Sequence, residues 1–190
     1  MKTLTSLELF ILSCFDRGLA TPYDLSRVAG LSLGATNPAL KRLVKSGLLK
    51  RSTGASVSNR PRHEYTLTPD GRRAARNGWK ASLSEEVPPS DLDSILRIVD
   101  MASHYKSSAS SIHQFLVRAM ESRKGSVEVY GAIADQAGPP SRFLYARLKV
   151  EFEKERLLAD FNTIGTVLTR LKQRHRPKVE QASIPGLTLS

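Results

Sequence analysis

The residues best equipped for chemistry on a partner cluster in one stretch of the chain. From Lys41 to Arg62 there are seven basic residues, Lys41, Arg42, Lys45, Lys50, Arg51, Arg60 and Arg62, and no acidic one. Ser32, Thr36 and Asn37 stand just ahead of this run, and Ser58 and Asn59 stand inside it. Arginine and lysine pair with phosphates or guanine edges, asparagine pairs with adenine edges, and a threonine methyl packs on that of thymine. A solvated surface usually mixes charge signs, so a one-signed run of this length points to a polyanion rather than to solubility alone.

The rest of the composition narrows the class. The chain has 190 residues, a net charge of +11 and 40% apolar residues, which suits one good core or two small ones. Residues 1 to 89 hold 14 Lys+Arg against 7 Asp+Glu, net +7, and residues 90 to 190 hold 15 against 11, net +4. The single cysteine, Cys14, excludes a disulfide framework and a Cys-rich zinc site, and reads as a small core residue. There is no Walker-type loop, no His-Glu-x-x-His and no paired-Cys motif, so no enzyme, metal site or cofactor is expected. No apolar run approaches the ~20 residues that span a bilayer, and the first residues show no long apolar stretch behind a basic one, so a cytoplasmic protein with no membrane partner is expected.

The elements that must position the basic stretch are well punctuated. Leu4 to Asp16 reads as a helix apolar almost all round, stopped by Gly18, and therefore in need of two packing partners. Thr21 caps the next helix, Pro22 takes its first position, Asp24 completes the cap and Gly30 ends it, with Leu25, Val28 and Ala29 as the inner stripe. After the turn Gly30 to Ser32, a second helix turns Leu40, Leu43 and Val44 inward and Thr36, Asn37, Lys41, Arg42 and Lys45 outward. Its start is open between two caps. Ser32 would put Pro38 uncomfortably far in, whereas Thr36 would leave it in the first turn.

Leu48 to Thr53 and Arg62 to Leu67 read as strands around the polar loop GASVSNRP, and Thr68, Pro69 and Asp70 open a further helix that Gly78 closes. This order, two short helices and a hairpin with a basic tip, is the plan of a winged helix-turn-helix. In that plan Arg51, Ser58, Asn59, Arg60 and Arg62 form the wing, with Ser32, Thr36, Asn37, Lys41, Arg42 and Lys45 on the recognition helix.

At these residues the chain resembles the PadR-type transcriptional regulators. The resemblance is carried by Pro38, Ala39, Leu40, Leu43, Gly47 and Leu48, then by Arg60, Pro61, Tyr65, Leu67, Thr68 and Gly71, over roughly the first 80 residues. Asn37 departs from the aromatic that the family commonly has before the proline. The resemblance implies binding of operator DNA, dimerisation through C-terminal helices, and a small-molecule effector near the dimer interface; Trp79, Phe10 and Phe15 are the aromatic residues available to line such a site.

The second half reads as a helical domain. Residues 81–90 look like a linker, and Ser90 with Asp93 like a capping box ahead of Leu92, Ile95, Leu96 and Val99. A helix with Ile112, Phe115, Leu116 and Met120 is expected to end near Gly125, and residues 125–138 to be a short helix or a structured loop. Gly138, Pro139 and Pro140 break the chain. From about Ser141 to His175 one long helix repeats Phe143, Val150, Leu157, Ile164 and Leu171 every seven residues, joined by Phe161 and Leu168. That stripe is expected to pair with a second subunit; packing along its own bundle is the competing reading.

The fold expected is thus mainly α with a small two-stranded wing: a winged helix-turn-helix over residues 1–80, a linker over 81–90, a helical dimerisation domain over 91–175 and a poorly ordered tail over 176–190. The function expected is a homodimeric regulator, most simply a repressor, on double-stranded DNA. The competing readings are a ligand-responsive regulator of MarR type and a winged-helix protein-interaction module that does not bind DNA.

Overall fold

The computed structural model describes residues 3–54, 62–136 and 144–174. The first helix, α1 (Ser6–Asp16), starts at a reciprocal cap: the Thr5 hydroxyl accepts from the Glu8 N–H, and the Glu8 carboxylate accepts from the Thr5 N–H. Its all-round apolar surface has two partners in the same chain. Ile11, Leu12, Cys14 and Phe15 enter the core of the winged helix, and Leu9 enters the core of the helical domain. A second subunit is therefore not required to cover α1. Burial pushes the Cys14 thiol up to about 11, which keeps it protonated and inert at neutral pH.

Helix α2 (Pro22–Ala29) is capped as its sequence foretells, with Thr21 bonded to the Asp24 N–H and Gly30 in the left-handed region at φ 67°. Leu25 is its buried residue, but Val28 is 67% exposed and does not join the inner stripe. Helix α3 (Leu33–Lys45) starts from Ser32, whose hydroxyl accepts from the Ala35 N–H at 3.3 Å. The earlier of the two caps is the one used, and Pro38 lies inside the helix. A proline there removes the bond to the Gly34 carbonyl; Gly34 is exposed, so water can satisfy it.

Strands β1 (Leu49–Gly54) and β2 (Arg62–Leu67) pair antiparallel with Leu49 opposite Leu67 and Gly54 opposite Arg62. Tyr65 anchors the hairpin: its N–H donates to the Ala20 carbonyl at 2.8 Å, and its ring stacks on Phe15 at 6.0 Å. Helix α4 (Pro69–Asn77) follows Thr68, whose hydroxyl donates to the Gly47 carbonyl at 2.8 Å and accepts from the Gly71 N–H at 3.0 Å. A Cβ on Gly71 would lie 2.0 Å from the Leu48 carbonyl oxygen, so no other residue fits between strand and helix.

The segment expected to be a linker is partly structured. Helix α5 (Lys80–Ser84) fills its first half, and Leu83 is buried in the second core. Helix α6 (Leu92–His104) is capped by Asp91, which accepts from the Ser94 N–H at 2.7 Å, so the expected Ser90 capping box is displaced by one residue. Helix α7 (Ala109–Gln136) does not stop near Gly125 but continues through it to Gln136. Gly125 and Gly131 meet no neighbouring atom within 4 Å where a Cβ would sit, which leaves them as tolerated interior glycines rather than stops.

Helix α8 (Leu144–Arg174), about 46 Å long at 1.5 Å per residue, packs along α7. The heptad stripe expected to face a second subunit is largely spent on this contact. Leu157 and Ile164 are 4% and 0% exposed, and Leu168 and Leu171 pack on the core that holds Ile112, Phe115 and Trp79. Val150 and Phe161 are half-buried. A neighbouring helix of the same chain competes successfully for a stripe that the sequence alone leaves unpartnered. The expected breaker Gly138-Pro139-Pro140, Phe143 and the tail over 176–190 lie outside the described residues.

Candidate nucleic-acid interface

The helix-turn-helix is held rigidly from behind, which frees its outer face. Leu40 and Leu43 on α3, Leu25 on α2 and Ile11 and Leu12 on α1 are all 1% exposed or less. On the opposite side of α3, Ser32, Asn37, Lys41 and Lys45 are exposed. Lys50 and Arg51 on β1 continue the basic surface, and Arg51 reaches the His63 ring across the hairpin at 2.6 Å. Ser58, Asn59 and Arg60 lie outside the described residues, as does the side chain of Arg62.

One residue departs from the outward face that the sequence pattern draws, and a second, Arg42, stays exposed there while its guanidinium is engaged by an acid of the same chain. Thr36 is fully buried, its hydroxyl donating to the Ser32 carbonyl at 2.8 Å, so it is not available to a base. Once Ser32 rather than Thr36 is the cap, position 36 falls on the inner side of the helix with Ala39, Leu40 and Leu43. Arg42 has an intramolecular role: its Nε donates to the Glu8 carboxylate at 2.7 Å, tying the recognition helix to α1. Glu8 is 5% exposed. Burial by itself would raise its carboxyl, but the bonds from Thr5 and from Arg42 outweigh that and hold it below its ordinary value.

The Glu8 anchor was within reach of sequence reading. Thr5-Ser-Leu-Glu8 has the spacing of a capping box, and an acidic residue on an otherwise apolar helix calls for a buried cation. A motif of catalytic spacing is also present, against the expectation that the chain has none. Gly30-Leu31-Ser32-Leu33-Gly34 has the Gly-x-Ser-x-Gly spacing of a hydrolase nucleophile elbow. Its context is wrong for that chemistry. The elbow joins a strand to a helix, whereas Ser32 joins two helices and is occupied as the cap of α3.

The three aromatic residues expected to line an effector site divide between the two cores. Phe15 is 7% exposed and sits in the winged-helix core, and Phe10 is partly buried where the two cores meet. Trp79, 1% exposed, belongs to the second core and stacks on Tyr105 at 6.1 Å. No group of His, Cys, Asp and Glu among the described residues could hold a metal ion, and none of their helices is long and apolar enough to cross a membrane.

The segment that carries this geometry, residues 25–77, matches the model of the transcriptional regulator PadR-like family. Among the solved structures to which the chain is similar, three align over most of it. PadR of Bacillus subtilis in complex with operator DNA is 18% identical, over 87% of this chain and 98% of that one, with a TM-score of 0.38. A PadR-like transcriptional regulator of Bacillus cereus is 15% identical over 91% and 95%, with a TM-score of 0.36. A Streptococcus mutans protein is 11% identical over 87% and 96%, with a TM-score of 0.34. No curated protein matches the chain.

Proposed function

We propose that this protein is a sequence-specific, DNA-binding transcriptional regulator, acting in the cytoplasm as a homodimeric repressor that a small-molecule effector relieves. The observation that carries the reading is the outer face of α3: Asn37, Lys41 and Lys45 exposed on a PadR-like recognition helix that is anchored from behind. Asn37 and Lys41 then meet base edges, and Lys45, Lys50 and Arg51 meet phosphates. Ser58, Asn59, Arg60 and Arg62 of the wing grip the flanking backbone. Arg42, held by Glu8, sets the angle of the helix.

The dimer is supported by a surface other than the heptad stripe. At the far end of the α7 and α8 hairpin, Val129, Ile133, Leu144, Tyr145, Leu148 and Phe152 are 46% to 78% exposed. Val129 and Ile133 on α7, and Leu144, Leu148 and Phe152 on α8, recur at spacings of four with Tyr145 beside them, an apolar band that a second copy would cover. A dimer presents two recognition helices, and its two-fold axis calls for an operator with inverted half-sites.

Selection of bound sequences from a random duplex pool tests the reading. An enriched inverted repeat is expected. A pool that stays random after repeated rounds contradicts sequence-specific binding.

A further inference from the structure

A cavity of about 590 Å³ is lined by Trp79 and α5 on one side and by the α6–α7 connection and α7 on the other. Its lining carries three cations, Lys80, Lys106 and Arg118, and no carboxylate. Among the described residues these cations meet neutral groups only: Lys80 donates to the Asn77 side-chain oxygen at 2.8 Å, and Arg118 to the Leu83 carbonyl at 2.5 Å. Two further donors are buried without a partner, the indole N–H of Trp79 and the Nε–H of Arg118. Buried donors left unmade are costly, and a native protein that keeps them commonly has a ligand or water to satisfy them. Lys106 is also the one non-glycine among the described residues with a left-handed backbone, φ 57°, a conformation that a lysine adopts at a cost.

We propose that this cavity binds a small organic phosphate, with the phosphate group among Lys80, Lys106 and Arg118 and the organic part along the Trp79 and Tyr105 rings. A monocarboxylate brings one charge and two acceptor oxygens to three cations. A phosphate monoester brings nearly two charges and three terminal oxygens, a better match in both counts. The volume falls in the usual range for small-molecule sites and exceeds what inorganic phosphate alone would fill.

The place in the fold gives the ligand a consequence. The Tyr105 hydroxyl donates to the Asp16 carboxylate at 3.1 Å, and the same carboxylate accepts from Arg76 on α4 at 3.0 Å. Occupancy of the cavity thus bears on the junction that sets the winged helix against the helical domain. That consequence, an effect on DNA affinity, rests on the function proposed above. The binding site does not.

Trp79 is the only tryptophan in the chain, so its fluorescence reports on the cavity directly. The full chain is titrated at constant ionic strength with inorganic phosphate, phenyl phosphate and benzoate. Phenyl phosphate is expected to give a saturable change, phosphate a weaker one and benzoate the weakest. Lys106→Gln and Lys80→Gln, both at exposed residues, are each expected to weaken phenyl phosphate roughly tenfold, the loss of one charge-assisted bond. No saturable change, benzoate binding as tightly as phenyl phosphate, or variants that bind like the parent would each overturn the site, whether or not the protein binds DNA. Saturating phenyl phosphate that leaves an established DNA affinity unaltered would overturn the effector role alone.

Discussion

At the scale of single residues, the buried acids do most to fix the interface. Glu8 holds Arg42, and Asp16 holds Arg76 and Tyr105. Glu8→Gln keeps the size of the side chain but gives up the charge on a nearly buried partner of Arg42. The variant is expected to lower thermal stability by roughly 1–3 kcal/mol, the range for a lost hydrogen bond to a charged group, and to weaken binding to every duplex alike, since it releases α3 without touching a base-reading residue. A melt unchanged from the parent would remove the clamp. Gly71 makes a sharper case, because a Cβ there would meet a backbone oxygen at 2.0 Å. Gly71→Ala should cost about 3 kcal/mol or more in a chemical denaturation, and a loss below about 0.5 kcal/mol, the scale of an ordinary surface change, would show that strand and helix can part there. Gly71 was legible in the sequence as a motif position, and the Thr21, Thr68 and Gly30 caps were legible from residue type alone. Thr36 was not, because which side of a helix a residue faces depends on where the helix starts, and Pro38 argued for the later cap, Thr36, over the one that is used, Ser32.

At the scale of elements, the lesson of α7 and α8 is that a heptad stripe identifies a packing face but not its owner. Leu157 and Ile164 sit where a coiled-coil seam would place them, yet their partner is α7. The same packing buries an ion pair, Arg123 with Asp160 at 3.5 Å, their side chains 3% and 9% exposed. Arg123 also donates to the Pro89 carbonyl at 3.3 Å, which ties the segment before α6 to the hairpin. Removing one partner strands a buried charge. Asp160→Ala should therefore cost on the order of 3–5 kcal/mol, while replacing both residues with apolar ones of similar volume should cost far less. Equal losses for the single and double variants in denaturant unfolding would show that packing, not charge, is what the pair supplies. For the apolar band, Leu148→Glu with Phe152→Glu should convert a dimer to a monomer in analytical ultracentrifugation without lowering helix content. A chain that stays dimeric after both changes places the interface elsewhere. The continuity of α7 through Gly125 was beyond sequence reading, since an interior glycine and a terminal one look the same until a neighbouring helix supplies the packing that carries the helix past it.

At the scale of the whole molecule, α1 joins two cores, and the acids on it make that junction sensitive to pH. Burial would raise both the Glu8 and Asp16 carboxyls, but the hydrogen bonds and cations around them hold both below their ordinary values of 4.5 and 3.8. A group with a depressed folded-state pKa contributes stability above its unfolded value and loses it as pH falls through the folded one. Stability should accordingly be flat near neutrality with respect to these groups and fall below about pH 4, and less steeply in Glu8→Gln, as read from melts across pH; identical acid limbs in parent and variant would contradict the assignment. The winged-helix plan and the basic face were legible because caps, turns and charge are local. The junction was not, because Asp16, Arg76 and Tyr105 meet only after the chain has folded. The central claim is that the exposed cations of α3 and β1 bind duplex DNA. Its most direct measurement is the affinity of the full chain for a selected duplex as salt is raised, beside that of Lys41→Ala and Lys45→Ala. A steep linear fall of log affinity with log salt is expected, with a slope shallower by roughly one for a variant that loses a phosphate contact. Binding that is absent, or that ignores salt and both substitutions, would contradict it.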